Sequence, residues 1–245
     1  LHGLRHNANR QNPNVALFEI GRVFTVTTDG RIVEERRVAI ALTGRRNPLF
    51  WSGEDREAAF DAFDLKGMVE EFLEQFGLRG VAFNRHAQAP APLLEAAAVS
   101  LGGRVPLGDL GQLLPSLARK YDLRQPVFLA ELNLDLLLAK RNPARTFKSL
   151  PQFPGIRRDI AMLVPEVTTH ESVLTVVRQA KPANLESVEL FDVFHGKNVP
   201  DGQKSLAYAF TYRAPDKTLT DLEVNAAHDR IVAQFRQNLQ AVVRE

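Results

Sequence analysis

The sequence predicts an α+β chain in two parts, each built on a largely antiparallel sheet. Three observations predict it: short apolar runs separated by turn residues, stretches of helical periodicity set behind capping residues, and a proline-rich interruption at residues 150–155. A length of 245 residues allows two separate cores. Hydrophobic residues at 44% and charged residues at 24% are globular usage, so the chain is expected to fold rather than stay disordered.

In the first part, residues 18–24 read as a strand that runs through residues 25–33 into a hairpin, with Asp29 and Gly30 supplying the positive backbone angles of the turn. Residues 37–43 read as a further buried strand closed by Gly44. Asp61 and Asp64 then precede an amphipathic helix whose apolar face is Leu65, Met68, Val69, Phe72, Leu73 and Phe76, and Gly77 ends it. Short strands are expected over residues 81–84, 96–101 and 127–134, with a short helix after Pro115. Gly102-Gly103 and the Gly108 to Gly111 segment read as hairpin turns. Pro143 and residues 150–155 place the domain boundary between residues 1–148 and 152–245, because each proline removes a donor and holds its predecessor extended.

The second part has the order strand (158–164), helix (170–180), strand (185–194), strand (204–213), helix (221–239) and a short strand (241–244). That order is the βαββαβ plait of a ferredoxin-like domain. Thr220 and Glu223 form a capping box for the second helix, whose buried stripe is Val224, Ala227, Ile231, Val232, Phe235 and Leu239. Strict alternation puts Leu190, Asp192 and Phe194 on one sheet face, and Phe191 and Val193 on the other. Both helices of a plait pack on one side. The opposite side is left bare for a partner.

Composition excludes several chemistries. There is no cysteine, which removes disulfides and thiolate catalysis and fits a cytosolic location. No apolar run approaches the roughly 18 residues of a membrane span, and the start has no leader pattern, so neither feature is expected. The net charge is +2, and residues 152–245 carry 11 Lys and Arg against 12 Asp and Glu, so neither part is a polyelectrolyte clamp. His2, His6, His86, His170, His195 and His228 lack zinc-site spacing, and no glycine-rich phosphate loop precedes a helix; no metal site is expected. Asp61 and Asp64 fit helix capping better than a catalytic carboxylate pair.

Two groups admit both a functional and a structural reading. Arg157 and Arg158 are candidate RNA contacts that can grip phosphate as two guanidinium forks, or form a strand-edge ion pair with Asp159. Asp192 with Phe194 can read a base by hydrogen bonding and stacking, or be a strand-end carboxylate at a turn beside a packed ring. Lys197 and Lys204 flank the same turn.

Residues 9–24 (Asn-Arg-Gln-Asn-Pro-Asn-Val-Ala-Leu-Phe-Glu-Ile-Gly-Arg-Val-Phe), 63–70 (Phe-Asp-Leu-Lys-Gly-Met-Val-Glu), 153–161 (Phe-Pro-Gly-Ile-Arg-Arg-Asp-Ile-Ala) and the string from Leu190 to Val232 carry a resemblance. Together and in this order they resemble the bacterial phenylalanyl-tRNA synthetase beta subunit, nearly end to end. The resemblance implies that residues 1–148 are the larger part of a class II synthetase-like domain, incomplete at its amino end and without an active site. No Gly-x-Gly-x-x-Arg signature is present. It implies that residues 152–245 are the family's ferredoxin-fold anticodon-binding domain. Asp192 and Phe194 match the aspartate and aromatic beside which the wobble guanine stacks; the family commonly has tyrosine at the second position. Residues 91–97, Ala-Pro-Leu-Leu-Glu-Ala-Ala, depart from the family's His-Pro-Gly-Arg-Ser-Ala stretch.

By the same resemblance the chain is expected to be a carboxy-terminal fragment, noncatalytic by itself and holding no cofactor. The oligonucleotide-binding, editing and magnesium-contacting domains lie upstream in the family. ATP and Mg2+ serve the complete cytoplasmic enzyme of two alpha and two beta subunits, so the implied partners are the alpha subunit and phenylalanine tRNA, with no membrane. The alternative reading is a ferredoxin-like adaptor or small-ligand regulatory domain fused to a structural α+β unit.

Overall fold

Alternating apolar residues and one glycine turn build the long hairpin that begins the first sheet. Strands β1 (Val15–Val26) and β2 (Ile32–Thr43) pair antiparallel from Val15 opposite Thr43 to Val26 opposite Ile32. This is a computed structural model, and it describes residues 1–48, 50–142 and 149–244. The hairpin corrects two expectations. Residues 37–43 are the second half of β2, not a separate strand. Only Gly30 takes a positive φ; Asp29 instead uses its carboxylate to hold the Thr27 hydroxyl and the Arg31 guanidinium.

The backbone divides into two units, Leu1–Thr146 and Phe147–Glu245. Pro143, expected to mark the break, lies outside the described residues. The first unit is an antiparallel six-stranded sheet in the order β1-β2-β6-β5-β4-β3, where β3 is Val81–Arg85, β4 Leu93–Leu101, β5 Val105–Leu113 and β6 Val127–Asn133. Helix α1 (His2–Ala8) precedes the sheet, and α2 (Ala62–Gln75) buries Leu65, Val69 and Leu73 among Val38, Leu42 and Leu132. The Asp61 carboxylate accepts from the Phe63 and Asp64 amides while the Asp64 carboxylate accepts from the Asp61 amide, so both aspartates are caps. Helix α3 (Pro115–Lys120) starts at a proline, and α4 (Leu134–Lys140) is capped by the Asn133 side chain.

Gly108 to Gly111 is not a hairpin turn. Both glycines lie inside β5, where neighbouring backbones come close: a Cβ at Gly108 would stand 2.8 Å from Leu132 Cα, and one at Gly111 would stand 2.9 Å from Ala96 Cα. They are glycine because the flanking strands leave no room for a methyl. Gly102 and Gly103 do form the expected turn, both with positive φ.

The second unit matches the expected element order: β7 (Ile156–Pro165), α5 (His170–Ala180), β8 (Leu185–Phe194), β9 (Gln203–Tyr212), α6 (Asp221–Leu239) and β10 (Val242–Arg244). Its four strands stand antiparallel in the order β10-β7-β9-β8. Leu206, Tyr208, Phe210 and Tyr212 project from β9 into a core shared with Val173, Val176 and Val177 of α5 and with Val224, Ile231 and Phe235 of α6. Both helices therefore cover one face of the sheet. The face bearing Ala207, Ala209 and Thr211 has no helix over it among the described residues.

One register shift changes the expected faces. Leu190 pairs with Tyr208 but Asp192 pairs with Ala207, so Phe191 is an extra residue without a partner. Cross-strand partners share a face, so Leu190 joins the core side with Tyr208. Asp192 and Phe194, opposite Ala207 and Ser205, lie on the uncovered side. The expectation that Leu190 shares their face fails at this bulge.

Candidate nucleic-acid interface

The carboxy-terminal end of β8 positions two groups from the sequence reading together. Asp192 and Phe194 are two residues apart on the uncovered face, and Phe194 keeps 47% of its surface exposed. Below the ring lies Gly196, whose missing side chain makes the seat: a Cβ there would approach Phe194 Cε1 to 2.8 Å. Asp192 is exposed. A flat apolar ring beside a free carboxylate can stack a base and accept from its edge.

The turn after β8 is tied to the loop after β7. Val199 donates its amide to the Gly196 carbonyl at 2.9 Å, and His195 Nε2 stands 3.2 Å from a Glu166 carboxylate oxygen. Lys204, which flanks the turn, donates from Nζ to the Glu166 backbone carbonyl at 2.8 Å. These contacts fix the end of the strand from which Phe194 projects.

Arg157 and Arg158 project from opposite faces of the sheet. Alternation along β7 puts Arg157 opposite Thr211 on the uncovered face and Arg158 opposite Phe210 on the helix side. Arg158 is engaged there by the Asp221 carboxylate and by Asn225 Oδ1 at 3.1 Å, at the start of α6. Arg157 donates from Nε to Asp159 Oδ1 at 2.8 Å, which is the strand-edge ion pair of the structural reading. Its guanidinium also lies over the ring of Phe191, a residue that strict alternation had assigned to the other face. Composition carries no mark of that bulge, so alternation alone could not find the contact.

On this face Arg157 stands against Asp159, Glu189 and Asp192, an excess of acidic over basic groups among these four. The face is suited to stacking more than to attracting phosphate. Among the described residues, no three His, Asp or Glu side chains converge as metal ligands, and no helix is long and apolar enough to cross a membrane.

Residues 1–134 match the family described as the phenylalanyl tRNA synthetase beta chain CLM domain, which is more than half of the chain. The chain belongs to the phenylalanyl-tRNA synthetase beta chain family. Residues 151–244 match a second family, the ferredoxin-fold anticodon binding domain, and the whole uncovered face lies within that match. The phenylalanine–tRNA ligase beta subunit of Symbiobacterium thermophilum is 37% identical over 229 residues, covering 93% of this chain and 25% of that protein. The beta subunits of Clostridium tetani and Geobacillus kaustophilus are 33% and 35% identical over 246 residues, each covering all of this chain and 29% and 30% of their own length. The chain thus spans between a quarter and a third of these curated relatives, and the matches fall in their carboxy-terminal portion. The adaptor reading is not favoured, because both matched families belong with a synthetase beta chain or its anticodon-binding module.

Proposed function

We propose that the second unit reads the anticodon of phenylalanine tRNA on its uncovered sheet face, with Phe194 stacking the wobble guanine and Asp192 accepting from its Watson–Crick edge. The observation that carries this reading is the placement of Asp192 and Phe194 side by side on the face that the helices leave bare. Guanine offers N–H donors along that edge, and an ionised carboxylate only accepts, so the pairing is chemically matched. Phenylalanine supplies the π face without the hydroxyl of tyrosine, so this position contributes stacking alone.

The first unit, on this reading, is a class II synthetase-like domain that has lost catalysis and packs on the alpha subunit. Its six-stranded antiparallel sheet with α2 on one face is consistent with that ancestry. The complete enzyme, two alpha and two beta subunits in the cytoplasm, attaches phenylalanine to tRNA at the expense of ATP. ATP and Mg2+ belong to the alpha subunit's site. The described residues of this chain hold no ligand set for the ion.

The test is the assembled enzyme carrying Phe194→Ala, with binding measured for phenylalanine tRNA and for a transcript altered at the wobble guanine. Loss of one stacked base should weaken binding about 5- to 150-fold and narrow the gap between the two RNAs. Unchanged affinity with unchanged discrimination would remove Phe194 from the site.

A further inference from the structure

The bulge in β8 does more than separate Leu190 from Asp192. Phe191 has no cross-strand partner, yet the central carbon of the Arg157 guanidinium stands 5.4 Å from its ring centroid. Arg157 lies on the face away from the helices, so the Phe191 ring reaches that face too. To meet it, the arginine reaches across β9, the strand between β7 and β8. The Asp159 carboxylate holds the guanidinium in place and raises its pKa.

Phe191 nonetheless keeps 48% of its surface in solvent. A phenylalanine left this exposed contributes little to the core, and an exposed cation–π contact contributes little to stability. The result is a half-uncovered step of ring and guanidinium, held by the Asp159 ion pair, on the same face as Asp192 and Phe194. Along the strand it stands at most about 10 Å from Phe194, with Asp192 between them.

We propose that the Arg157–Phe191 pair is a second stacking platform, which takes the nucleobase adjacent to the one held by Phe194. The inference rests on the anticodon-reading assignment of this face and adds a position to it. Bases stack on aromatic rings and on guanidinium planes alike, and such stacking tolerates any base. Phosphate is the poorer ligand, because Asp159 already pairs with Arg157 and Glu189 lies on the same face. The platform therefore adds affinity without adding discrimination, while Asp192 and Phe194 carry the choice of base.

The test uses the assembled enzyme and phenylalanine tRNA over a range of salt concentrations. Phe191→Ala should weaken binding about 5- to 150-fold for the natural transcript and equally for one altered at the base next to the wobble position. Phe191→Trp should restore it. Arg157→Gln should weaken binding with the salt dependence unchanged. Normal binding by Phe191→Ala while Phe194→Ala is impaired would overturn the platform and leave the anticodon reading standing. Normal binding by both variants would overturn the reading itself. A salt slope lowered by about one in Arg157→Gln would identify a phosphate contact instead, and would also overturn the platform.

Discussion

The ring of Phe194 rests against the backbone of Gly196, and no side chain larger than hydrogen fits between them. Gly196 is not among the positive-φ residues, so alanine is compatible with its backbone and the conflict is purely steric. Gly196→Ala should therefore tilt or displace the ring without unfolding the domain. The expected outcome is a loss of tRNA affinity approaching that of Phe194→Ala, with the thermal midpoint nearly unchanged. The double variant should be no worse than Phe194→Ala alone, because both act through one ring. Binding that is additive in the double variant would show that Gly196 acts elsewhere.

Beneath the opposite face, two tyrosines point their hydroxyls at histidines. Tyr208 meets His170 Nδ1 at 2.9 Å, and Tyr212 meets His228 Nδ1 at 3.2 Å. Burial pushes the Tyr212 hydroxyl up to about 12 and moves that of Tyr208 upward as well, while burial lowers the pKa of His228. A histidine lowered in the folded state resists protonation there, so the unfolded chain binds more protons once the pH drops below about 6.5. Stability should fall as the pH falls through that value and on through the lower folded one. Urea midpoints measured from neutral to mildly acid pH should show a shallower decline in His228→Gln than in the natural sequence. Tyr212→Phe should cost about 0.5–1.5 kcal/mol at neutral pH.

Which features were legible follows from whether their cause is local. Thr220 with Glu223, Asp61 with Asp64, and the turn at Gly30 are settled by residues within one or two turns of each other, and their elements lie where the sequence puts them. The β5 strand was hidden because Gly108 and Gly111 answer to Glu131, Leu132 and Ala96 on neighbouring strands, which no local window contains. The same holds for the interface. Asp192 and Phe194 were readable as neighbours, whereas the bulge at Phe191 exists only in the pairing with β9, and its arginine comes from a strand more than thirty residues earlier.

Gly108 offers a direct check of that argument. A methyl there would overlap the Glu131 carbonyl oxygen and press on Leu132 Cα, both backbone atoms that cannot swing away. Its φ of 154° is also one that an alanine rarely takes. Gly108→Ala should destabilise the first unit by about 1–3 kcal/mol or more, while Gly102→Ala, whose Cβ would meet nothing, should cost only the strain of its turn. Equal chemical-denaturation midpoints for the two variants would contradict the close approach of β5 and β6.

The start of α6 should be an acid-resistant cap. Thr220 Oγ1 accepts from the Glu223 amide, and the Glu223 carboxylate accepts from the Thr220 amide at 3.0 Å and from Lys217 Nζ. The Lys217 contact first, and the Thr220 contacts after it, bring Glu223 down to about 2. A carboxylate lowered in the folded state stabilises fully above its unfolded value of 4.5 and loses that contribution only as the pH falls toward 2. Thr220→Ala should cost about 1 kcal/mol at neutral pH, and Glu223→Gln should flatten the stability profile below pH 4.5. Helix α6 supplies Val224, Ile231 and Phe235 to the core behind the interface, so a frayed start loosens that core. Amide exchange in the first turn of α6 should accelerate in both variants, whereas exchange in β9 should follow global stability alone. If exchange at the first turn is unaffected by Thr220→Ala, the capping box does not hold this end of the helix.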